Sequence, residues 1–370
     1  MKVDAKNANA VSLDRKQRDG MKQAMLPNWS ALSLRALGIV ACAASIALAS
    51  PQQSLFVSDW DTNAVIEFDV ATGTMIRVAV PEQADGGRVL SALTIAPDGM
   101  ILLTDYTTDE IRRYSPLTGA LVDRFVAAGT GGMFNVTDMT FAPSGDLLVV
   151  NGGGGVLRFD GQTGAFLGVL ITPEQSPGAR FMTFGPSGAL YLTDAVRRSV
   201  SRFNATTGES LGTFACCFSE GRGLAFTPSG ELLVANWEHD RIERFNATTG
   251  EYLGVFASNV EAHQMVLGPD GLVYVADGAD QRIHRYNSVT GEPLEPLGIG
   301  VLDDPWAMGF RSRPTCGADF DSNRVVDFFD YLAFVAALAA GEARSDLNQD
   351  GQSDFFDYLR FAEVFDAGCV

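Results

Sequence analysis

The sequence is poor in histidine, cysteine and basic residues, and each shortage excludes a class of protein. Three His residues among 370 are too few for a histidine-rich catalytic metal centre. Five Cys residues exclude a miniprotein held together by disulfides. The 27 Lys and Arg residues are outnumbered by 45 Asp and Glu residues, and the net charge of −18 would repel nucleic acid and anionic membranes over most of the surface.

Long apolar runs are also absent. The charge-free stretch 36–49 has 14 residues, fewer than the roughly 20 that a membrane-spanning helix needs, so no transmembrane span is expected. Basic residues precede this stretch, and it ends in the small-residue pattern Ala47–Leu48–Ala49. The pattern predicts a signal peptide over residues 1–49 and a secreted or cell-surface protein. A lipoprotein cleavage box ending at Cys42 is an alternative interpretation of the same stretch.

The most informative feature is an internal repeat. Pro-x-Gly turns recur at intervals of 46, 43, 42 and 41 residues, beginning at Pro97, Pro143, Pro186, Pro228 and Pro269. A second series of turns ends in Thr-Gly, at Gly73, Gly119, Gly164, Gly208, Gly250 and Gly291. Short runs rich in β-branched and aromatic residues lie between the turns. The repeat therefore predicts six units of four antiparallel strands.

Such a sheet has two apolar faces and cannot bury both alone, so neighbouring units must stack face to face. Closure into a ring achieves this without long free edges, which predicts a mainly β fold, a six-bladed β-propeller over residues 50–311. The first unit lacks an innermost strand, and an unpaired strand, 306–310, follows the sixth unit. We expect these two ends to complete one blade together.

The repeat units resemble NHL-type six-bladed propellers. The resemblance is carried by Pro-Asp-Gly-Leu-Val-Tyr-Val-Ala-Asp over 269–277, followed by Arg282 and Ile283. It implies the fold and leaves the function open.

Positions that differ between units indicate where a ligand could bind. A variable position precedes each innermost strand at the mouth of the central channel, and is occupied by Ser91, Thr137, Arg180, Arg222, His263 and Trp306. Asp138 and Gln264 follow two of these positions. The two guanidiniums and the imidazole predict a site for a carboxylate or sulfate, such as an anionic glycan, formed by Arg180, Arg222, His263, Trp306 and Asp138. The alternative is that these side chains only satisfy carbonyl groups around a water-filled hole.

An enzyme is the second functional hypothesis. Propeller lyases depend on several His residues around the channel, and lactonase-type propellers on a metal held by Glu, Asn and Asp. Here only His263 lies at a mouth position, and neither a nucleophile motif nor a carboxylate pair of recognisable spacing is present. A lyase or hydrolase, lactonase-like or related to polysaccharides, with its site at the channel mouth therefore stays the alternative to a protein- or glycan-binding module.

The segment 312–370 differs in composition and duplicates itself. Asp-Phe-Phe-Asp-Tyr-Leu at 327–332 returns 27 residues later at 354–359. An acidic ladder precedes and includes each copy at the spacing of positions 1, 3, 5, 7, 9 and 12 of a calcium-binding loop. The first ladder is Asp319, Asp321, Asn323, Val325 (by its carbonyl), Asp327 and Asp330; the second is Asp346, Asn348, Asp350, Gln352 (by its carbonyl), Asp354 and Asp357. The spacing predicts two Ca²⁺ sites.

Both loops end in Asp rather than Glu, and no entering helix precedes either. The doubled motif and the closing Gly368-Cys369 resemble the GC-type dockerin-like tails of secreted bacterial proteins. The resemblance implies a small α-helical calcium-loop domain that attaches the protein to a cohesin-like or cell-surface partner.

Two pairs of cysteines bear on this domain organisation. Cys316 and Cys369 flank the calcium repeats, and a disulfide between them would stabilise a domain too small for a robust core. Cys216 and Cys217 are adjacent, which allows either a vicinal disulfide or two thiols near the channel mouth.

We predict that the segment 312–370 folds when it binds calcium, because its crowded carboxylates repel one another without a cation. The second loop should bind more tightly, since Gly351 adopts the left-handed turn freely while Arg324 pays roughly 1–2 kcal/mol there. Circular dichroism of the isolated segment should show calcium-induced helicity that Asp346→Ala reduces more than Asp319→Ala. Identical spectra with calcium and with chelator, under oxidising and reducing conditions, would contradict coupled folding.

Overall fold

The computed structural model describes residues 53–82, 91–105, 107–218, 220–312, 320, 328–347 and 351–367. The predicted signal peptide, the predicted disulfide partners Cys316 and Cys369, and part of each acidic ladder lie outside the described residues. From the ladders, the structure describes Asp330, Asp346, Gln352, Asp354 and Asp357.

Six sheets of four antiparallel strands form the six blades. Blade 1 contains β1 (Gln53–Asp59), β2 (Ala64–Asp69), β3 (Met75–Val80) and β24 (Pro305–Ser312). Blade 2 contains β4 (Leu93–Ile95), β5 (Ile101–Asp105), β6 (Glu110–Tyr114) and β7 (Leu121–Val126). Blade 3 contains β8 (Asp138–Phe141), β9 (Leu147–Val150), β10 (Val156–Phe159) and β11 (Phe166–Ile171). Blade 4 contains β12 (Ala179–Phe184), β13 (Leu190–Asp194), β14 (Ser199–Phe203) and β15 (Ser210–Cys216). Blade 5 contains β16 (Gly221–Phe226), β17 (Glu231–Asn236), β18 (Arg241–Asn246) and β19 (Tyr252–Ser258). Blade 6 contains β20 (Ala262–Leu267), β21 (Leu272–Asp277), β22 (Arg282–Asn287) and β23 (Pro293–Leu297). The predicted six-bladed propeller is confirmed.

The ring closes by pairing the last strand of the propeller with the first. β24 lies antiparallel to β1, with Phe310 opposite Leu55 and Met308 opposite Val57. The Ser58 hydroxyl accepts a 3.0 Å hydrogen bond from the backbone N–H of Ala307. The innermost strand of blade 1 therefore comes from the far end of the repeat, as the sequence predicted.

The hydrophobic core is divided among the junctions between blades. Six clusters of buried side chains each lie between two neighbouring blades. Successive residues of β1 alternate between two of them: Leu55 and Val57 pack toward blade 6, and Phe56 packs toward blade 2. This alternation follows from the two-residue period of a strand and explains why β1 is buried on both faces.

In four of the six blades, the Asp that ends the second strand caps the following turn. The Oδ1 atoms of Asp59, Asp194 and Asp277 accept hydrogen bonds from backbone N–H groups three residues later, at 2.9, 2.8 and 2.9 Å respectively, and Oδ1 of Asp105 accepts one from the N–H of Thr107 at 3.0 Å. Short side-chain acceptors of this kind satisfy the turn backbone. The corresponding Asn151 and Asn236 bond other groups instead.

Two helices, α1 (Phe328–Ala340) and α2 (Phe355–Ala367), lie in the C-terminal segment. They contact each other through Phe334 and Phe361, whose rings stack with centroids 4.2 Å apart. Asp330 and Asp357, in the first turns, are fully buried. Three 3₁₀ turns complete the described elements, at Thr130–Gly132, Trp237–His239 and Ala343–Ser345. Within the described ranges, no helix has the length and apolar character needed to cross a membrane.

We predict that a chain ending at residue 304 does not form a stable propeller. Loss of β24 exposes the edge of β1 and uncovers buried Ala307 and Met308 contacts on both neighbouring blades. Size-exclusion chromatography should show aggregates, and thermal unfolding should lose its single cooperative transition. The matched control ends at residue 313, which keeps β24 and removes only the C-terminal segment. A soluble, cooperatively unfolding 50–304 chain would contradict the closure.

Candidate ligand site at the channel mouth

The start of each innermost strand brings one blade's mouth residue to the channel opening. The opening leads into a cavity of about 300 Å³. Its lining combines aromatic, cationic and hydroxyl side chains: Trp60, Ser91, Val136, Thr137, Arg180, Phe181, Glu220, Arg222 and Trp306. The structure thus brings together the predicted Arg180, Arg222 and Trp306, and it adds Trp60 and Glu220.

The guanidinium of Arg222 contacts aromatic, imidazole and carboxylate side chains. Its guanidinium carbon lies 4.1 Å from the centroid of the Trp237 ring and 5.6 Å from that of Trp306. Nη1 is hydrogen-bonded to Nδ1 of His263, and Nε lies 3.8 Å from a Glu220 carboxylate oxygen. Burial lowers the pKa of Arg222 from its usual value. The residue shapes the cavity wall, and most of its donors already face protein groups.

His263 contributes a neutral imidazole beside the mouth rather than a cation. The side chain is buried, and its ring stacks on Trp306 with centroids 4.1 Å apart. Burial, followed by the charge of Arg222, lowers the pKa of His263 to about 3. The neutral imidazole therefore faces Arg222 through Nδ1, while Nε2 lies 3.6 Å from Asp304. His263 supports the cavity wall and adds no charge for an anion.

Arg180 is a cation at the mouth whose guanidinium forms no ion pair with a described carboxylate. Its half-exposed side chain lines the cavity, and within the described part of the chain no carboxylate pairs with it. Its positive charge repels that of Arg222 and adds to burial in lowering the pKa of Arg222. On the opposite wall, the rings of Trp60 and Trp306 lie 4.8 Å apart at 33°. A planar cation and aromatic surface therefore face the same small space.

Asp138 lies deeper than predicted, below the mouth. It is 5% exposed, and its Oδ2 accepts a 2.9 Å hydrogen bond from the backbone N–H of Met182. Its Oδ1 is 3.4 Å from Nε2 of Gln264, which belongs to the opposite blade of the ring. The Asp138–Gln264 pair spans the channel between the mouth cavity and a wider channel body of about 580 Å³. Burial raises the pKa of Asp138 to about 7, against the opposing effect of its hydrogen-bond donors.

Three carboxylates near the mouth were not predicted from the sequence. Glu220, Glu261 and Asp304 each lie two residues before a mouth position, in the loops that lead into β16, β20 and β24. Glu261 accepts a 3.0 Å hydrogen bond from Nε1 of Trp237. Burial, followed by the charges of Asp61, Asp59 and Glu261, raises the pKa of Asp304 to about 6. The repeated acid-x-mouth spacing was the signal in the sequence that could have located them.

The solved structures similar to this one show the fold. A chain of the nidogen/laminin complex matches with a TM-score of 0.56 at 15% identity, covering 70% of this chain and 98% of its own. A protein of unknown function from Bacteroides caccae matches with a TM-score of 0.52 at 17% identity, covering 70% and 99%. Regucalcin, a calcium-binding protein from Agrobacterium tumefaciens, has a TM-score of 0.44 at 17% identity, covering 56% and 72%. No protein-family model and no curated protein matches the sequence.

The adjacent cysteines form a disulfide at the end of β15. Cys216 and Cys217 are both exposed, so they do not pack in the core. Cys217 has a positive φ of 82°, and its backbone N–H donates a 3.0 Å hydrogen bond to the carbonyl of Arg198. The disulfide and this hydrogen bond therefore constrain the backbone at the end of β15.

The described part of the second acidic ladder forms a turn followed by a capped helix. Gly351 has φ of 85°, as expected for the sixth loop position, and its N–H donates a 2.9 Å hydrogen bond to Oδ2 of Asp346. Oδ1 of Asp354 accepts a 2.8 Å hydrogen bond from the N–H of Phe356 at the start of α2. Oδ2 of the buried Asp357 accepts one from the N–H of Asp354 at 2.8 Å. Calcium binding by these residues stays a prediction.

We predict that Asp138 makes the propeller less stable as the pH rises from about 4 to about 7. The folded state holds a proton that the unfolded chain releases near pH 3.8, because the pKa is raised to about 7, so the native state binds more protons in this window. The unfolding free energy of the wild type relative to Asp138→Asn should fall by as much as about 4 kcal/mol across it. Urea unfolding at several pH values measures the difference, and any constant offset from altered hydrogen bonds cancels. A difference independent of pH would contradict the assignment.

Proposed function

We propose that this protein is a secreted, non-catalytic binding module whose channel mouth holds an acidic sugar residue of a glycan. The observation that carries the proposal is Arg180, a cavity-lining guanidinium that no described carboxylate neutralises. A guanidinium presents paired donors that match a carboxylate or sulfate. In a chain of net charge −18, such an unneutralised cation in a cavity favours a specific anionic ligand over general attraction.

The aromatic side of the cavity supports a sugar as the carrier of that charge. Trp60 and Trp306 line the same cavity as Ser91 and Thr137, whose hydroxyl groups donate to the carbonyls of Val136 and Arg180 and present their oxygens as acceptors. A sugar ring offers an apolar face for the indoles and hydroxyl groups for the polar wall. The volume of about 300 Å³ lies at the lower end of the range of small-molecule sites, which suits one or two sugar units.

The C-terminal segment serves, in this proposal, as a calcium-dependent tether to a cohesin-like or cell-surface protein. Supporting features are the buried first-turn carboxylates of Asp330 and Asp357 and the left-handed Gly351. Carboxylates that leave water in this way need positive charge or several donors close by. The residues described suit oxygen coordination of Ca²⁺ by Asp330 in the first loop and by Asp346, Asp354 and Asp357 in the second.

Asp304 is the observation that favours an enzyme as the second candidate. Its pKa of about 6 would allow proton transfer near neutral pH. The neighbouring His263, whose pKa lies near 3, is a weak base and cannot complete a conventional acid–base pair. A lyase or hydrolase would therefore depend on Asp304 alone, and turnover of a uronate substrate abolished by Asp304→Asn would establish it.

We predict that a short oligogalacturonate quenches or shifts the tryptophan fluorescence of the chain beginning at residue 50. The tryptophans of that chain are Trp60, Trp237 and Trp306, all at or beside the mouth, so the emission reports on this site. Arg180→Gln should weaken binding about tenfold or more, because a charge-assisted pair is lost. Raising the salt concentration to about 0.5 M should also weaken it.

The matched control is Arg124→Gln, which removes one positive charge from a residue whose side chain is 66% exposed on the outer strand β7. It should bind like the wild type. The methyl-esterified oligogalacturonate should bind poorly to every variant. Equal affinities for Arg180→Gln and the wild type, or no binding of the acidic sugar, would contradict the proposed function.

A further inference from the structure

A second cluster of chemically active side chains lies in blade 6, outside the cavity lining. Asp277 ends β21, Asp280 lies in the turn, and His284 lies in β22. Nε2 of His284 is 3.3 Å from Oδ2 of Asp277 and 3.2 Å from Oδ2 of Asp280. One ligand atom from each residue can thus be chosen so that all three lie within 4.8 Å of one another.

The imidazole is not satisfied by this arrangement. Nε2 of His284 is buried from solvent and lies within 3.3 Å of both carboxylates, but it directs a well-aligned hydrogen bond to neither. Both carboxylate oxygens are near enough, so the failure comes from direction: neither lies along the axis on which Nε2 donates or accepts. A buried polar atom without a well-aligned hydrogen bond needs an explanation, and an ion bound between the imidazole and the two carboxylates supplies one.

The two distances from Nε2 of His284 to the carboxylates match those around a bound divalent ion. With ligand bonds of about 2.1 Å, neighbouring ligand atoms lie about 3.0–3.5 Å apart and off each other's axis. The Asp277 carboxylate is held in place by the backbone, because it accepts hydrogen bonds from the N–H groups of Asp280 and Glu261 at 2.9 and 3.1 Å. Arg282 lies at the limit of ion pairing, with Nε 4.0 Å from Oδ2 of Asp280, so the site retains net negative charge.

At the three equivalent positions of blade 5, the polar side chains are paired with one another. There they are occupied by Asn236, His239 and Glu243. Asn236 donates to Glu243 at 3.0 Å and contacts His239 through its oxygen at 3.2 Å. Arg241 neutralises Glu243 at 2.6 Å. Blade 5 therefore offers no vacancy for a cation, which makes it an internal control for blade 6.

The geometry points to a binding site for a first-row divalent cation of the zinc class, held by Asp277, Asp280 and His284. One imidazole nitrogen with two carboxylate oxygens is a donor set that suits Zn²⁺, Co²⁺ or Mn²⁺ better than the all-oxygen preference of Ca²⁺. Three protein ligands leave at least one position for water or an external group. The site is independent of the proposed glycan site and of the predicted calcium loops.

Calorimetric titration with Zn²⁺ and absorption spectroscopy with Co²⁺ test the assignment. The chain beginning at residue 50 is used with excess Ca²⁺, which occupies oxygen-rich sites in the C-terminal segment, and without reductant, which keeps Cys216 and Cys217 in their disulfide. We expect one Zn²⁺ site and a Co²⁺ spectrum with visible bands. His284→Gln should weaken Zn²⁺ binding at least tenfold and abolish the bands.

Two further variants separate ligand loss from misfolding. Asp280→Asn alters a side chain that is 46% exposed and should weaken binding without changing the thermal unfolding midpoint of the metal-free protein. His239→Gln removes the corresponding imidazole position of blade 5 and should leave Zn²⁺ affinity unchanged. No Zn²⁺ binding by the wild type, unchanged affinity in both His284→Gln and Asp280→Asn, or an equal loss in His239→Gln would overturn the site.

Discussion

The structure depends on the fact that each four-stranded blade has two apolar faces. Leu55 and Val57 on one face of β1 pack against blade 6, and Phe56 on the other packs against blade 2. No blade can leave its neighbours without exposing half of its buried side chains to water. The ring must therefore close, and the β1–β24 pairing is the contact by which it does. The channel, its mouth and the loops that surround it are consequences of this closure.

The fold was predictable because one unit recurs six times. A single Pro-x-Gly turn would have indicated little, but turns at 41 to 46 residues fixed the strand order and the number of blades. The missing first strand and the extra last strand even indicated the closing pair. The duplicated C-terminal motif likewise predicted the two helices that the described part of this segment has, while calcium binding by its loops stays a prediction.

The candidate site was predictable only in part, since register gives position along a strand while burial and charge depend on neighbours from other blades. The register correctly located Arg180, Arg222 and Trp306 at one opening. It could not show that Arg222 and burial keep His263 neutral, or that Asp138 reaches across to Gln264. Asp304 escaped notice because it lies in a loop between distant repeats, where ring closure alone brings it beside His263.

The Asp138–Gln264 contact crosses the channel below the mouth cavity and narrows it there. For the proposed glycan ligand, this narrowing favours entry from the mouth by a chain terminus, or by a branch that projects from the chain, over threading of a linear polymer through the ring. Occupancy on such a polymer would then rise with the number of ends rather than with total mass.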